Sequence, residues 1–110
     1  MAMQFRISGK QMEIGEALPV HVRTALEEAI AKHFNGGADA AVVFSHEGSF
    51  YRADCTVHLD SGVVLKTQGE NGDVHKAFDL ALDHMEKRIR RYARRLKEHP
   101  GKRPDKSVNV

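Results

Sequence analysis

The sequence predicts a two-layer α/β (α+β) sandwich built in the order β-α-β-β-β-α, with two helices on one face of a four-stranded mixed sheet. From Tyr51 to Asp60 the residues alternate with strict period two. The odd positions are Tyr51, Ala53, Cys55, Val57 and Leu59 and the even positions Arg52, Asp54, Thr56, His58 and Asp60, so the sheet has one dry and one wet face. Two longer segments repeat apolar residues at intervals of three and four, the spacing of one helical face. A strand, a helix and a second strand in succession favour a right-handed crossover with the strands parallel. Both apolar helix faces then cover the same side of the sheet.

Each element has its own signal. Gln4 to Ser8 alternates polar and apolar before meeting Gly9, as a short strand does. Between Glu16 and Phe34 the set Leu18, Val22, Ala25, Leu26, Ala29, Ile30 and Phe34 marks the first helix, with Pro19 tolerated in its first turn. Asn35-Gly36-Gly37 supplies residues that tolerate a left-handed exit and marks the helix end. Ala38 to His46 is rich in small and β-branched residues, and the turn residues Glu47-Gly48-Ser49 lead into the alternating strand. Ser61-Gly62 then connects tightly to Val63–Glu70, so the last three strands form an antiparallel meander. Asp73 is the expected N-cap of a long second helix running to about Glu98, where Pro100-Gly101 stops it. Its core stripe reads Val74, Ala77, Phe78, Ala81, Leu82, Met85, Ile89, Tyr92 and Leu96.

With 110 residues, 41% hydrophobic and 29% charged, the chain has the size and composition of one globular domain. Residues 1–99 are expected to form it, and residues 100–110 a disordered polar tail. No apolar run reaches the length needed to span a bilayer, and no secretory signal is recognisable at the N-terminus. The single cysteine, Cys55, leaves no partner for an internal disulfide, which points to a reducing, cytoplasmic setting.

Charge is distributed unevenly. Residues 1–86 carry seven Lys/Arg against thirteen Asp/Glu, and residues 87–106 carry ten against two, for local charges of −6 and +8. Within Lys87-Arg88-Ile89-Arg90-Arg91-Tyr92-Ala93-Arg94-Arg95-Leu96-Lys97, a step of about 100° per residue puts Lys87, Arg90, Arg91, Arg94, Arg95 and Lys97 opposite Met85, Ile89 and Leu96. Like charges at three and four positions repel by a few tenths of a kcal/mol per pair, so a polyanion outside the helix is the natural counterpart. Phosphates fit this role, since they offer Coulomb attraction, counterion release and oxygens matched to arginine forks. Cations near a helix C-terminus also complement the macrodipole, but that effect is confined to the last turn, and this strip covers nearly three.

No constellation for catalysis or metal binding is visible. The seven histidines, at positions 21, 33, 46, 58, 75, 84 and 99, follow no ligand spacing, and neither HExxH nor paired CxxC occurs. Cys55 and His58 are close in sequence, but residues three apart on a strand face opposite sides, so Cys55 is expected inside and His58 outside. Gly36-Gly37 and Gly69-Glu70-Asn71-Gly72 match no phosphate-binding loop, and Ser49 lacks the following glycine of a nucleophile elbow. Neither an enzyme nor a cofactor is expected.

Four stretches resemble the ribosome hibernation-promoting factors, also called ribosome-associated inhibitors. They are Ile7-Ser8-Gly9-Lys10 with Glu13-Ile14-Gly15-Glu16-Ala17-Leu18; Ala53-Asp54-Cys55-Thr56-Val57-His58; Asp73-Val74-His75-Lys76-Ala77-Phe78-Asp79; and Met85-Glu86-Lys87-Arg88-Ile89-Arg90-Arg91-Tyr92. The last is the most specific, and together they cover about residues 3 to 97. The chain looks most like the ribosome-binding domain of the family's long form. It departs from the family pattern at Gly15, where a threonine cap is frequent, and at His75, where tyrosine is frequent.

That resemblance implies a fold related in layout to double-stranded RNA-binding domains. It also implies binding to the small ribosomal subunit and its rRNA in the decoding channel, in competition with tRNA and mRNA. Translation would be blocked and idle ribosomes preserved in stationary phase. The family's basic second-helix positions carry over to Lys87, Arg91 and Arg95, with Arg90, Arg94 and Lys97 beside them. Ribosome dimers are expected only if the domain belongs to a longer chain. From the residues alone, two other readings stand beside this one: a generic double-stranded RNA-binding module, and a protein-interaction domain gripping an acidic partner.

Overall fold

The computed structural model describes residues 3–98, with only the backbone of Lys97 and Glu98. Its elements follow the predicted order: β1 (Gln4–Lys10), α1 (Ala17–His33), β2 (Ala38–Glu47), β3 (Phe50–Leu59), β4 (Val64–Asn71) and α2 (Val74–Glu98). The sheet order is β1-β2-β3-β4, with β1 parallel to β2 and the other neighbours antiparallel. The expected tail and the Pro100-Gly101 stop lie outside the described residues. Among the described residues, no helix is long and apolar enough to cross a membrane.

Period-two patterning becomes a one-sided sheet. Ala38, Ala40, Val42 and Phe44 of β2 and Ala53, Cys55, Val57 and Leu59 of β3 are buried beneath Leu18, Val22, Leu26 and Ile30 of α1 and Phe78, Met85 and Ile89 of α2. The open face carries Arg52, Asp54 and His58 from the same strand. Arg52 Nε donates to both carboxylate oxygens of Asp54 at 3.2 Å, and its guanidinium also bonds Gln68. Cys55 is 1% exposed, and burial pushes its thiol up to about 12, against a hydrogen bond with Thr67 that acts the other way.

The placement of α2 over β4 is set by small residues. A Cβ added at Gly69 would lie 2.7 Å from the Ala81 backbone nitrogen, and closer still to the Ala77 carbonyl oxygen, so only glycine admits the helix at this depth. Thr67 Oγ1 donates to the Ala81 carbonyl at 2.8 Å, tying strand to helix at the same place. The start of α2 is capped as expected. Asp73 Oδ1 accepts from the His75 and Lys76 N–H groups at 2.8 and 3.2 Å, while Asn71 Oδ1 accepts from the Asp73 N–H at 2.9 Å.

Two expectations are corrected. The exit from α1 is not left-handed, because Phe34 is extended (φ −137°) and neither Gly36 nor Gly37 has positive φ. Glycine serves there for close approach: a Cβ on Gly36 would fall 2.5 Å from Asp60 Oδ1 and 2.8 Å from the Phe34 ring. Asp60 accepts from the Gly37 N–H at 2.7 Å through Oδ2 and donates its own N–H to the Gly37 carbonyl at 2.9 Å, which locks the β3–β4 hairpin against the start of β2. The second correction is Leu96, assigned to the core stripe but 42% exposed. The last turns of α2 run past the buried cluster, whose final member on that helix is Ile89.

Candidate nucleic-acid interface

The second half of α2 is held from beneath and from both sides, which leaves one face for other work. Ile89 is fully buried, and Tyr92 is half-buried, with its hydroxyl 2.6 Å from Ser61 Oγ on the β3–β4 hairpin. On the other flank, His33 Nε2 donates to Glu86 Oε2 at 3.0 Å, and Lys32 Nζ lies 3.3 Å from the same oxygen. The His33 hydrogen bond, helped by Lys32, holds the Glu86 carboxyl below the ordinary glutamate range despite some desolvation. These contacts fix the rotation of α2 about its axis and so decide which residues face out.

Of the six residues assigned to the strip from sequence, Lys87, Arg90, Arg91, Arg94 and Arg95 are all exposed on the outer face of α2. The side chain of Lys97 lies outside the described residues. Lys87 is not wholly unneutralised, since its Nζ sits 3.2 Å from Asp83 Oδ2 one turn earlier. Arg88, left off the strip on angular grounds, is exposed as well and widens the cationic surface. Lys32 of α1 joins it across the helix-helix seam, where Lys32, His33, Arg90, Ala93 and Arg94 surround one depression. No spacing signal within either helix reports that neighbour, because only tertiary packing creates it.

Chemically, the surface can do one thing well, which is to meet a row of negative charges. Arginine forks offer paired donors to phosphate oxygens, and an exposed helix face presents them without backbone rearrangement. Among the described residues, no group of three His, Cys, Asp or Glu side chains is arranged to hold a metal ion. His21 and His75, with ring centroids 5.6 Å apart, lie beside Asp79 at the opposite end of α2 from the strip. Cys55 is buried and His58 exposed, on opposite faces of the sheet.

The profile of the family described as "Sigma 54 modulation protein / S30EA ribosomal protein" matches residues 5–97. The chain is 43% identical over 108 residues to a protein of Rhizobium meliloti (strain 1021) named ribosome hibernation promotion factor, a match covering 98% of this chain and 57% of the relative. A protein of the same name from Bradyrhizobium diazoefficiens is 39% identical over 101 residues, covering 92% of this chain and 50% of that one. The chain thus spans little more than half the length of these curated relatives. Among solved structures, the N-terminal domain of Thermus thermophilus Protein Y superposes with a TM-score of 0.75 at 27% identity, covering 83% of this chain and 99% of that domain. That domain has the same β-α-β-β-β-α architecture. With nearly every described residue inside the match, the chain belongs to the Sigma 54 modulation protein / S30EA ribosomal protein family.

Proposed function

We propose that this chain is the ribosome-binding domain of a hibernation factor. It seats the outer face of α2 on small-subunit rRNA in the decoding channel, where it excludes tRNA and mRNA and keeps idle ribosomes out of translation in the cytoplasm during stationary phase. The observation that carries this reading is the exposed run Lys87, Arg90, Arg91, Arg94 and Arg95 on one helix face, five cations within three turns of α2. Folded rRNA suits such a surface, because its deep major groove resists side-chain reading and is met through shape and phosphates. The names of the Rhizobium and Bradyrhizobium relatives agree with this role. Ribosome dimers belong to this reading only where the domain is part of a longer chain.

The test is a titration of purified small subunits at several salt concentrations, with and without bound tRNA. Saturable binding that weakens steeply with salt and is displaced by tRNA is expected. Changing Arg91 and Arg95 together should weaken it far more than changing Arg23 and Lys66, exposed cations away from the strip. Full simultaneous occupancy by tRNA would reject the decoding channel, and salt-insensitive binding would reject the strip as its cause.

A further inference from the structure

Beside the strip lies a feature that phosphate binding does not use. Residues at and just after the end of α1 and residues of the last turns of α2 line a groove of about 280 Å³, among them Phe34, Asn35, Gly36, Ala93 and Leu96. It shares Lys32, His33 and Ala93 with the neighbouring depression bordered by Arg90 and Arg94, so the two form one continuous trough. The floor is apolar and aromatic, whereas the rim is cationic. Phe34 lies half-buried in the lining of this groove, with its ring 6.1 Å from that of Tyr92. Leu96 is 42% exposed, an uncovered large apolar side chain on an otherwise charged turn.

We propose that this trough receives one unstacked nucleobase of the RNA whose backbone rests on the strip. The inference deepens the reading above and depends on it. A flat apolar slot next to paired guanidinium groups has the charge complementarity of a single nucleotide. The base lies against Phe34 and Leu96, and its phosphate meets Arg90, Arg94 or Lys32. Sequence-tolerant stacking of this kind is how proteins grip unpaired nucleotides, and it adds to affinity beyond the electrostatic contribution. Asn35 in the lining of the slot carries both a donor and an acceptor for a base edge. The trough therefore directs the domain to RNA with an unpaired nucleotide beside a helix, whereas the strip alone accepts any phosphate row.

The test uses the full chain and two RNA hairpins. One carries a single bulged nucleotide in its stem, and the other has an abasic residue at that position. The expected result is about tenfold tighter binding of the bulged hairpin, in line with the stacking of one base. It should be accompanied by upfield movement of the Phe34 ring and Leu96 methyl NMR signals that the abasic RNA does not produce. Leu96→Ala, at an exposed position, and Phe34→Leu, confirmed folded by circular dichroism, should each reduce the preference towards one. If both hairpins bind equally and with steep salt dependence, the trough is rejected and the strip stands. If neither hairpin binds at low salt, both readings fail. If polyglutamate moves the Phe34 ring and Leu96 methyl signals as the bulged hairpin does, the site is a peptide groove and the nucleotide proposal is overturned.

Discussion

Replacing Arg91 with alanine should stabilise the domain and weaken its hold on RNA at the same time. Arg91 is exposed, forms no ion pair within the described structure, and has Lys87, Arg88, Arg94 and Arg95 at three and four positions on either side. Each such like-charge pair costs a few tenths of a kcal/mol, and alanine is the better helix former, so the change should return about 0.5–1 kcal/mol. For a domain of this size that corresponds to a rise of roughly 2–8 °C in Tm. Salt should raise the Tm of the unaltered protein more than that of the variant, since screening relieves the same repulsion. On the RNA side, one lost phosphate contact lowers the magnitude of the log-log salt slope by about 0.7. Removing Arg95 as well lowers it by about 1.4, so that a fourfold rise in salt costs the double variant about sevenfold less affinity than it costs the parent. Differential scanning calorimetry and filter binding at four salt concentrations measure the two effects. A lower Tm for Arg91→Ala would show that Arg91 supports the fold, and an unchanged slope in the double variant would show that the strip does not touch phosphate. Either result refutes the reasoning that α2 is repulsive by itself and is complemented by RNA.

Cys55 should resist a bulky thiol reagent in the native protein and react at the rate of unfolding, because it is buried and its thiol is pushed up to about 12; rapid native labelling would contradict the inward register of β3. Gly69→Ala should destabilise the domain by about 1–3 kcal/mol in urea melts, as the added methyl drives α2 away from β4. Glu86→Gln should cost under about 1 kcal/mol at neutral pH, the usual scale of a partly exposed pair. Because the folded Glu86 carboxyl is held below its ordinary value of 4.5, its contribution is complete above that value and is lost as pH falls through the lower folded one. The Gln variant should therefore lose less stability than the parent on acidification, and parallel acid titrations would argue that the His33 and Lys32 contacts contribute nothing. Arg91→Glu with Arg95→Glu should leave the circular dichroism spectrum native, since both positions are exposed, and an unfolded double variant would make the strip a structural element.

Much of the fold was legible because burial follows periodicity directly. The alternation through Cys55 reports which side of β3 is dry, and the three-four spacing through Phe78, Met85 and Ile89 reports which side of α2 is buried. What stayed hidden depends on distance across the fold. Gly36-Gly37 resembles a helix-ending pair, and nothing nearby reveals that Asp60 approaches from 24 positions away. Leu96 continues the apolar stripe faultlessly, but a stripe does not say where the sheet beneath it ends. The strip was visible as a helical face, whereas the trough joining Lys32 and Phe34 to Arg90 and Leu96 exists only because α1 and α2 meet at their ends. The Lys87–Asp83 pair was readable from its four-residue spacing and tempers the charge at the start of the strip.

The segregation of charge along the chain has a consequence for kinetics. Residues up to Glu86 carry −6, and from Lys87 to Glu98 seven basic residues face a single acid, so the folded domain is an electric dipole as well as a cationic surface. In the field of a polyanion such a body turns before it touches. The acidic portion is pushed outward while the far end of α2 leads, and collisions with the wrong face are discouraged. Productive encounters thus become a larger share of all encounters, a gain in association rate that needs no additional contact in the bound state.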